Sequence, residues 1–589
     1  MMNIPYSKPE AKMTHATWLI RAAALALFST AVCAQVPNYQ SVTQRMLENP
    51  DPADWLMFSR TYDAQRYSPL DEINVDNVRG LTLAWTSLLG SGNTETIPLV
   101  HDGVMYVVMP GAIVQALNAA TGEVFWQYTR PVAQALGASA RTKNLAIFGD
   151  TIVYTAPDSY VVGLDARTGE MRWETQAGTR GHTSGPLIVD GLAITGGACS
   201  GNRDNCYIAA HDVATGKEAW RFYTTPAPGE PGDESWHGAP LNNRQASTWG
   251  LPGSYDAASG LLYWGVANAM PDHRAARHGG DPAGTGISTP ADLYSNSTLA
   301  LNPKTGRLNW YYQHLPGDDW DLDATHERVL LDTALTPDPR YVKWINPALQ
   351  PGERRDVMVT VPEGGGIWAL DRHSGEFLWA TPFPYDAPEF WLDHIDPATG
   401  TVTLKWDLVL KEPGETKTIC YWNTRSYWPT SYHPGTNSLY TSYSDVCREL
   451  TSANAEHPES WRVVPRPGSD PNALAGLAKI DMATGEIVRF DVGRVPGNGA
   501  LLTTAGNLVF HGDMNRRFKA FDARNGELLW ETVLGGNVSV STISYAADGR
   551  QYIAVMTGEN LKLTELLSLN PELSTPRGHN ALYVFALPQ

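Results

Sequence analysis

One phrase recurs along this chain and limits what it can fold into more than any other feature. An apolar strand ends in Asp or Asn, a Thr-Gly or similar turn follows, and the next strand carries Trp. It reads ALNAATGEVFW at 116–126, GLDARTGEMRW at 163–173, AHDVATGKEAW at 210–220 and ALNPKTGRLNW at 300–310. It returns as ALDRHSGEFLW at 369–379, KIDMATGEIVRF at 479–490 and AFDARNGELLW at 520–530. The Gly permits positive φ in a hairpin turn, the Asp or Asn side chain bonds nearby backbone, and the Trp packs between neighbouring units. Trp126, Trp173 and Trp220 stand 47 residues apart, the length of a four-stranded propeller blade. A further Trp, Trp85 in LTLAW, has no such phrase before it, and the C-terminal runs 551–558 and 581–586 can complete its blade. The expectation is an all-β chain, an eight-bladed β-propeller with tryptophan-docking repeats, in which the first and last strands share a blade.

Composition agrees with many short strands and tight turns: 53 Gly, 41 Pro and 20 Trp in 589 residues, with 18% charged. A net charge of −18 argues against a nucleic-acid partner, whose phosphates would be repelled. At the N-terminus, Arg21 precedes an apolar run at 22–32, and Val32-Cys33-Ala34 offers small residues before Gln35, so residues 1–34 read as a cleavable export signal and 35–589 as one propeller. Met13 is a second candidate start. The run is too short to span a membrane and no later segment approaches that length, so no membrane span is expected. With Cys33 removed, Cys199, Cys206, Cys420 and Cys447 remain, an even number for an oxidising compartment. Proximity favours Cys199–Cys206 and Cys420–Cys447 as disulfides. Neither pair has structural-zinc spacing, and no C-x-x-C-H haem attachment occurs.

Long insertions rich in Gly, Pro, His, Tyr and Trp separate Trp220 from Trp310 and Trp379 from Phe490, and such loops on a rigid scaffold commonly build sites. From about Trp55 onward the chain resembles the quinoprotein alcohol dehydrogenases. The stretch WLMFSRTYDAQRYSPLDEIN at 55–74 is similar to the family's opening strand, and DLYSNSTLALNPKTGRLNWYYQHLPGDDWDLD at 292–323 to the repeat that runs into its acidic loop. The resemblance implies oxidation of an alcohol by pyrroloquinoline quinone (PQQ) with a calcium or lanthanide ion. It further implies a periplasmic location and electron transfer to a separate, soluble cytochrome c. Hydride transfer to a quinone needs a base for the hydroxyl proton and a Lewis acid for the quinone carbonyl. Asp321 matches the base. Asn268 in YWGVAN and Asp321 match metal ligands, and Asp323, two beyond the base, resembles the lanthanide-using branch, since a trivalent ion rewards another carboxylate. Trp249 matches the indole that stacks under the quinone, and Glu95 and Thr183 match pocket positions. Lys143 or Arg141 lies where the family places a cation for the quinone carboxylates.

Three departures stand against this. The family's adjacent cysteine pair would fall near Gly137-Ala138, where there is no Cys. Its metal-ligand Glu would fall within CSGNRDNC at 199–206, leaving Glu363 or Asp204 as the acid that replaces it, and its quinone-contacting basic residue would fall near Glu363 in PEGGG. The aromatic loop ICYWNTRSYWPTSY at 419–432 suggests walls for a larger alcohol in Trp422, Tyr427 and Trp428, or else packing beneath the Cys420–Cys447 bridge. A polyol or sugar dehydrogenase of the same cofactor class and a non-catalytic propeller scaffold are the competing functions.

Overall fold

The computed structural model describes residues 35–133, 143–181, 184–199, 203–280, 286–425, 428–453, 458–538, 541–558, 565–574, 576, 578 and 580–589. Among them lie eight sheets, each built on four antiparallel strands, the blades of the expected propeller; two of the sheets gain a fifth strand. Blades 1 to 7 occupy 99–129, 145–176, 187–223, 254–313, 329–381, 431–493 and 497–533. Blade 8 joins the strand Thr82–Gly90 to Asn580–Ala586, Arg550–Thr557 and Thr542–Ala547. The register sets Trp85 opposite Val584, so the strand that enters the ring also closes it.

The repeated phrase is the joint between blades. The Trp85 indole N–H donates to the Ala119 carbonyl at 3.2 Å, Trp126 to Ala166 at 3.0 Å, Trp173 to Val213 at 2.9 Å and Trp220 to Pro303 at 2.8 Å. Each acceptor lies in the turn of the next blade, and each ring lies flat on that turn's glycine. A Cβ at Gly169 would come within 2.5 Å of the Trp126 ring, and one at Gly216 within 2.5 Å of Trp173. The turn acid does its share: Asp165 Oδ1 accepts from the backbone N–H groups of Arg167 and Thr168. The pattern breaks at blade 5, where a fifth strand, Trp344–Ile345, pairs outside Phe377–Thr381 and Val342 takes the place over Gly485 that Trp379 would have filled. A further copy of the turn, Asp396 to Gly400, sits off the ring in the hairpin of Leu392–Ile395 and Val402–Leu404.

The stretch 55–66 runs across the inner strands. Trp55 exchanges backbone bonds with Val100 of blade 1, and the Tyr62 hydroxyl donates to the Ile188 carbonyl of blade 3. Its backbone carbonyls at Tyr62, Asp63 and Gln65 accept from Tyr255, Leu330 and Tyr432, in blades 4, 5 and 6. Arg66, fully buried, donates to the carbonyls of Leu501 in blade 7 and Thr542 in blade 8. This explains why so distinctive a segment precedes the first blade: it ties inner strands of seven blades to one another.

Two small additions lie outside the blades near the long insertions. One pairs Gln245–Ala246 with Ala269–Met270. The other is a three-stranded sheet of Thr416–Cys420, Val446–Thr451 and Ser460–Pro465, called the cap sheet below. The disulfide Cys420–Cys447 bridges directly opposed residues of the cap sheet, and Cys199–Cys206 closes the other expected pair.

Candidate active site

Every candidate residue that the structure describes lies in one of two kinds of loop. Glu95, Lys143, Trp249, Asp321 and Asp323 precede the inner strands that begin at 99, 145, 254 and 329. Asn268 and Glu363 follow second strands, after Leu261–Gly265 and Glu353–Thr360. In an antiparallel blade both loop types open on one face, and the Thr-Gly turns on the other. The site is therefore assembled at one end of the ring, with the docking turns at the opposite end.

Asp323 is the hub. Its buried carboxylate accepts the Trp249 indole N–H at 2.9 Å and the Asn268 backbone N–H at 3.0 Å, and its own carbonyl accepts the Glu363 N–H at 3.1 Å. Trp249, only partly buried, has the Lys143 ammonium 5.0 Å from its ring centroid. Lys143 in turn pairs with Glu95, both buried. Asn268 donates through its side-chain amide to Asp272 at 2.9 Å. Burial, then the charge of Asp321, pushes the Asp272 carboxyl up to about 6. Two carboxylates, of Asp323 and Asp272, thus accept from the backbone and side-chain N–H groups of Asn268.

Asp321 departs from expectation. Spacing two apart would set it on the same side as Asp323 if the segment were extended. Instead its φ is +62°, in the left-handed region, and its side chain is one-third exposed while Asp323 is buried. Arg448 of the cap sheet stands 3.8 Å from its Oδ2. Nearby, burial lifts the Asp318 carboxyl to about 7, with two backbone N–H bonds pulling it down and the charges of Asp321 and Asp319 adding to the rise.

Other expectations divide. Arg141, Thr183 and Tyr427 lie outside the described residues. Asp204 is exposed on a short turn, whereas Glu363 is fully buried beside Asp323. Trp422 and Trp428 are buried rather than open walls: Trp422 packs with Trp461, ring centroids 5.1 Å apart, and with Arg448. Sequence reasoning missed Asp272, Asp318 and Arg448. A polar residue four beyond Asn268 and a cation adjoining Cys447 were the available signals.

The family model described as "Glucose/ethanol/alcohol dehydrogenase, beta-propeller domain", of the PQQ class, matches residues 55–382 and 474–553. The chain belongs to the PQQ-dependent alcohol dehydrogenases. Quinohemoprotein alcohol dehydrogenase ADH IIB of Pseudomonas putida is 32% identical over 581 residues, covering 91% of this chain and 77% of that one. The 1-butanol dehydrogenase (cytochrome c) of Thauera butanivorans is 29% identical, covering 84% and 72%. Among solved structures, a europium-containing methanol dehydrogenase superposes with a TM-score of 0.78 at 26% identity, covering 92% of this chain and all of that one. Like its relatives, this PQQ-dependent dehydrogenase is an oxidoreductase acting on alcohols.

The donor set suits such a cofactor. A half-buried indole offers a flat apolar face, and the ammonium beside it supplies charge for a polycarboxylate. For a cation the fit is one of kind: Asn268, Asp321 and Asp323 are hard oxygen donors. Among the described residues, no three His, Cys, Asp or Glu side chains converge closely enough to enclose an ion by themselves.

Proposed function

We propose that this PQQ-dependent alcohol dehydrogenase is an exported enzyme with Asp321 as its base, a lanthanide ion at Asn268, Asp321 and Asp323, and a soluble cytochrome c as its acceptor. The observation that carries the site is the Asp323 carboxylate joining the Trp249 indole to the Asn268 backbone, two residues from Asp321. Trp249 holds the quinone ring, with Lys143, itself set by Glu95, beside it for the carboxylates. In sequence, Arg141 and Thr183 match the family's positions for such a pocket. When bound there, the quinone would supply the hydride acceptor and a cation the Lewis acid.

The protein's own work is proton transfer and exclusion of water. Asp321, the partly exposed acid of the pair, takes the hydroxyl proton as the alcohol becomes an aldehyde or ketone. Trp320 and Leu322 on either side of it are buried, which keeps bulk water from its flanks. The second carboxylate at Asp323 favours a trivalent over a divalent ion by charge balance, and the europium-containing neighbour supports that preference. The acceptor is the one for which the 1-butanol dehydrogenase (cytochrome c) of Thauera butanivorans is named. Export follows the pattern of residues 1–34, supported by two disulfides.

Asp321→Asn tests this reading. Turnover should fall about 10²–10⁴-fold, the usual worth of a general base, while PQQ still quenches tryptophan fluorescence on titration. Undiminished turnover would overturn the assignment.

A further inference from the structure

Asp321 is a non-glycine residue at φ +62°, a left-handed conformation that costs an L-residue energy, less for Asp than for most, so side chains that fix it there matter. Its conformation is the relative rotation of the two peptide planes on either side, and each plane is pinned by a buried polar side chain. The carbonyl of the preceding plane, that of Trp320, accepts from Arg448 Nη1 at 2.7 Å. The N–H of the following plane, that of Leu322, donates to Asp318 Oδ2 at 2.7 Å. Asp318 also takes the Trp320 N–H through Oδ1 at 2.7 Å. Asn296 completes the frame, donating to the Leu322 carbonyl at 2.7 Å and to Asp318 Oδ2 at 3.2 Å.

Arg448 is itself fixed. Its guanidinium lies 4.7 Å from the Trp461 ring centroid and 5.4 Å from that of Trp422, one residue along from the Cys420–Cys447 bridge. Such stacking holds a cation in one orientation. The cap sheet, a separate element inserted after blade 5 and within blade 6, thereby reaches the backbone of the acidic loop that precedes blade 5.

We propose that Asp318 and Arg448 are positioning residues that hold Asp321 in its left-handed conformation, aiming the carboxylate at the reacting hydroxyl. The proposal rests on Asp321 being the base. It accounts for an arginine and an acid buried beside the loop without either having to touch substrate or cofactor.

The test uses the PQQ- and metal-loaded protein with Arg448→Ala, Arg448→Lys, Asp318→Asn and Asp321→Asn, and the double variant Asp321→Asn/Arg448→Ala. Arg448→Ala should lower kcat about 10²-fold, as expected for a misplaced reacting group, with KM and bound PQQ within about twofold. Arg448→Lys, which keeps a donor, should recover a large part. In the Asp321→Asn background, Arg448→Ala should cost nothing more. Hydrogen exchange in a peptide containing 318–323 should quicken in Asp318→Asn, a readout independent of activity that remains informative if Arg448→Ala does not fold. Full turnover in Asp321→Asn would remove the base reading and this one with it. Loss in Asp321→Asn alone, with Arg448→Ala and Asp318→Asn as fast as the parent, would overturn positioning while leaving the base intact. An Arg448→Ala penalty equal in both backgrounds would also overturn it.

Discussion

If the Trp-to-glycine joint holds the blades together, two glycines of identical backbone shape should respond very differently to one added methyl group. Gly103 and Gly169 both have φ +75°, so alanine at either costs the same left-handed strain, about 1–2 kcal/mol. At Gly103 the new Cβ meets nothing within 4 Å, whereas at Gly169 it meets the Trp126 ring at 2.5 Å, closer than real Cβ contacts. Trp126 is almost fully buried and hydrogen-bonded, so it cannot move aside without losing its bond to Ala166. Overpacking of that kind adds about 1–3 kcal/mol. With an unfolding entropy of about 2.1 cal/mol/K per residue, 1 kcal/mol corresponds to about 1 °C in a chain of this size. Gly103→Ala should therefore lower Tm by about 1–2 °C, and Gly169→Ala by about 2–5 °C. Melting both at one scan rate reads the difference, and in a Trp126→Leu background, which lowers Tm by itself, Gly169→Ala should cost no more than Gly103→Ala. Equal shifts for the two single variants would refute the reasoning that the indole on glycine is the joint.

Replacing Cys420 and Cys447 with Ser releases a closure spanning 27 residues and should cost about 3–4 kcal/mol by melting; turnover should fall with it, since the bridge adjoins Arg448. Burial drives the His211 imidazole down to about 4, against the pull of Glu218 3.8 Å away. The unfolded chain then takes up a proton near pH 6.5 that the folded chain refuses, so stability is full above 6.5 and declines as pH falls toward 4, by about 3 kcal/mol. His211→Gln should flatten that decline in denaturation curves across the window, and an unchanged slope would count against it. Asp323→Ala should weaken lanthanide-supported turnover by about 10–100-fold and calcium-supported turnover less, with bound metal quantified for both; intact lanthanide activity would end the lanthanide assignment.

Much of the ring was legible because its information is local. Gly, the turn acid and Trp recur within eleven residues, and each meets its partner at the next copy, so Trp85 without a preceding phrase already implied a blade completed from the far end. The disulfides were legible for the same reason. What escaped was set by distant packing. Nothing near Lys143 announces Glu95, and nothing near Asp321 announces Arg448, which lies more than a hundred residues away. The left-handed turn at Asp321 was hidden because spacing alone presumes an extended strand, and the side chains that forbid one come from elsewhere. For Trp422 the sequence left two roles open, a substrate wall or packing beneath the Cys420–Cys447 bridge; the ring packs with Arg448 and Trp461. The missing joint at Trp379 was unreadable because the Trp344–Ile345 strand that displaces it carries no repeat signature.

The stretch 55–66, by bonding to the inner strands of seven blades, laces blades that are far apart in sequence to one short run of backbone ahead of the first of them. No one of those blades can swing away from the ring without breaking a bond to that run.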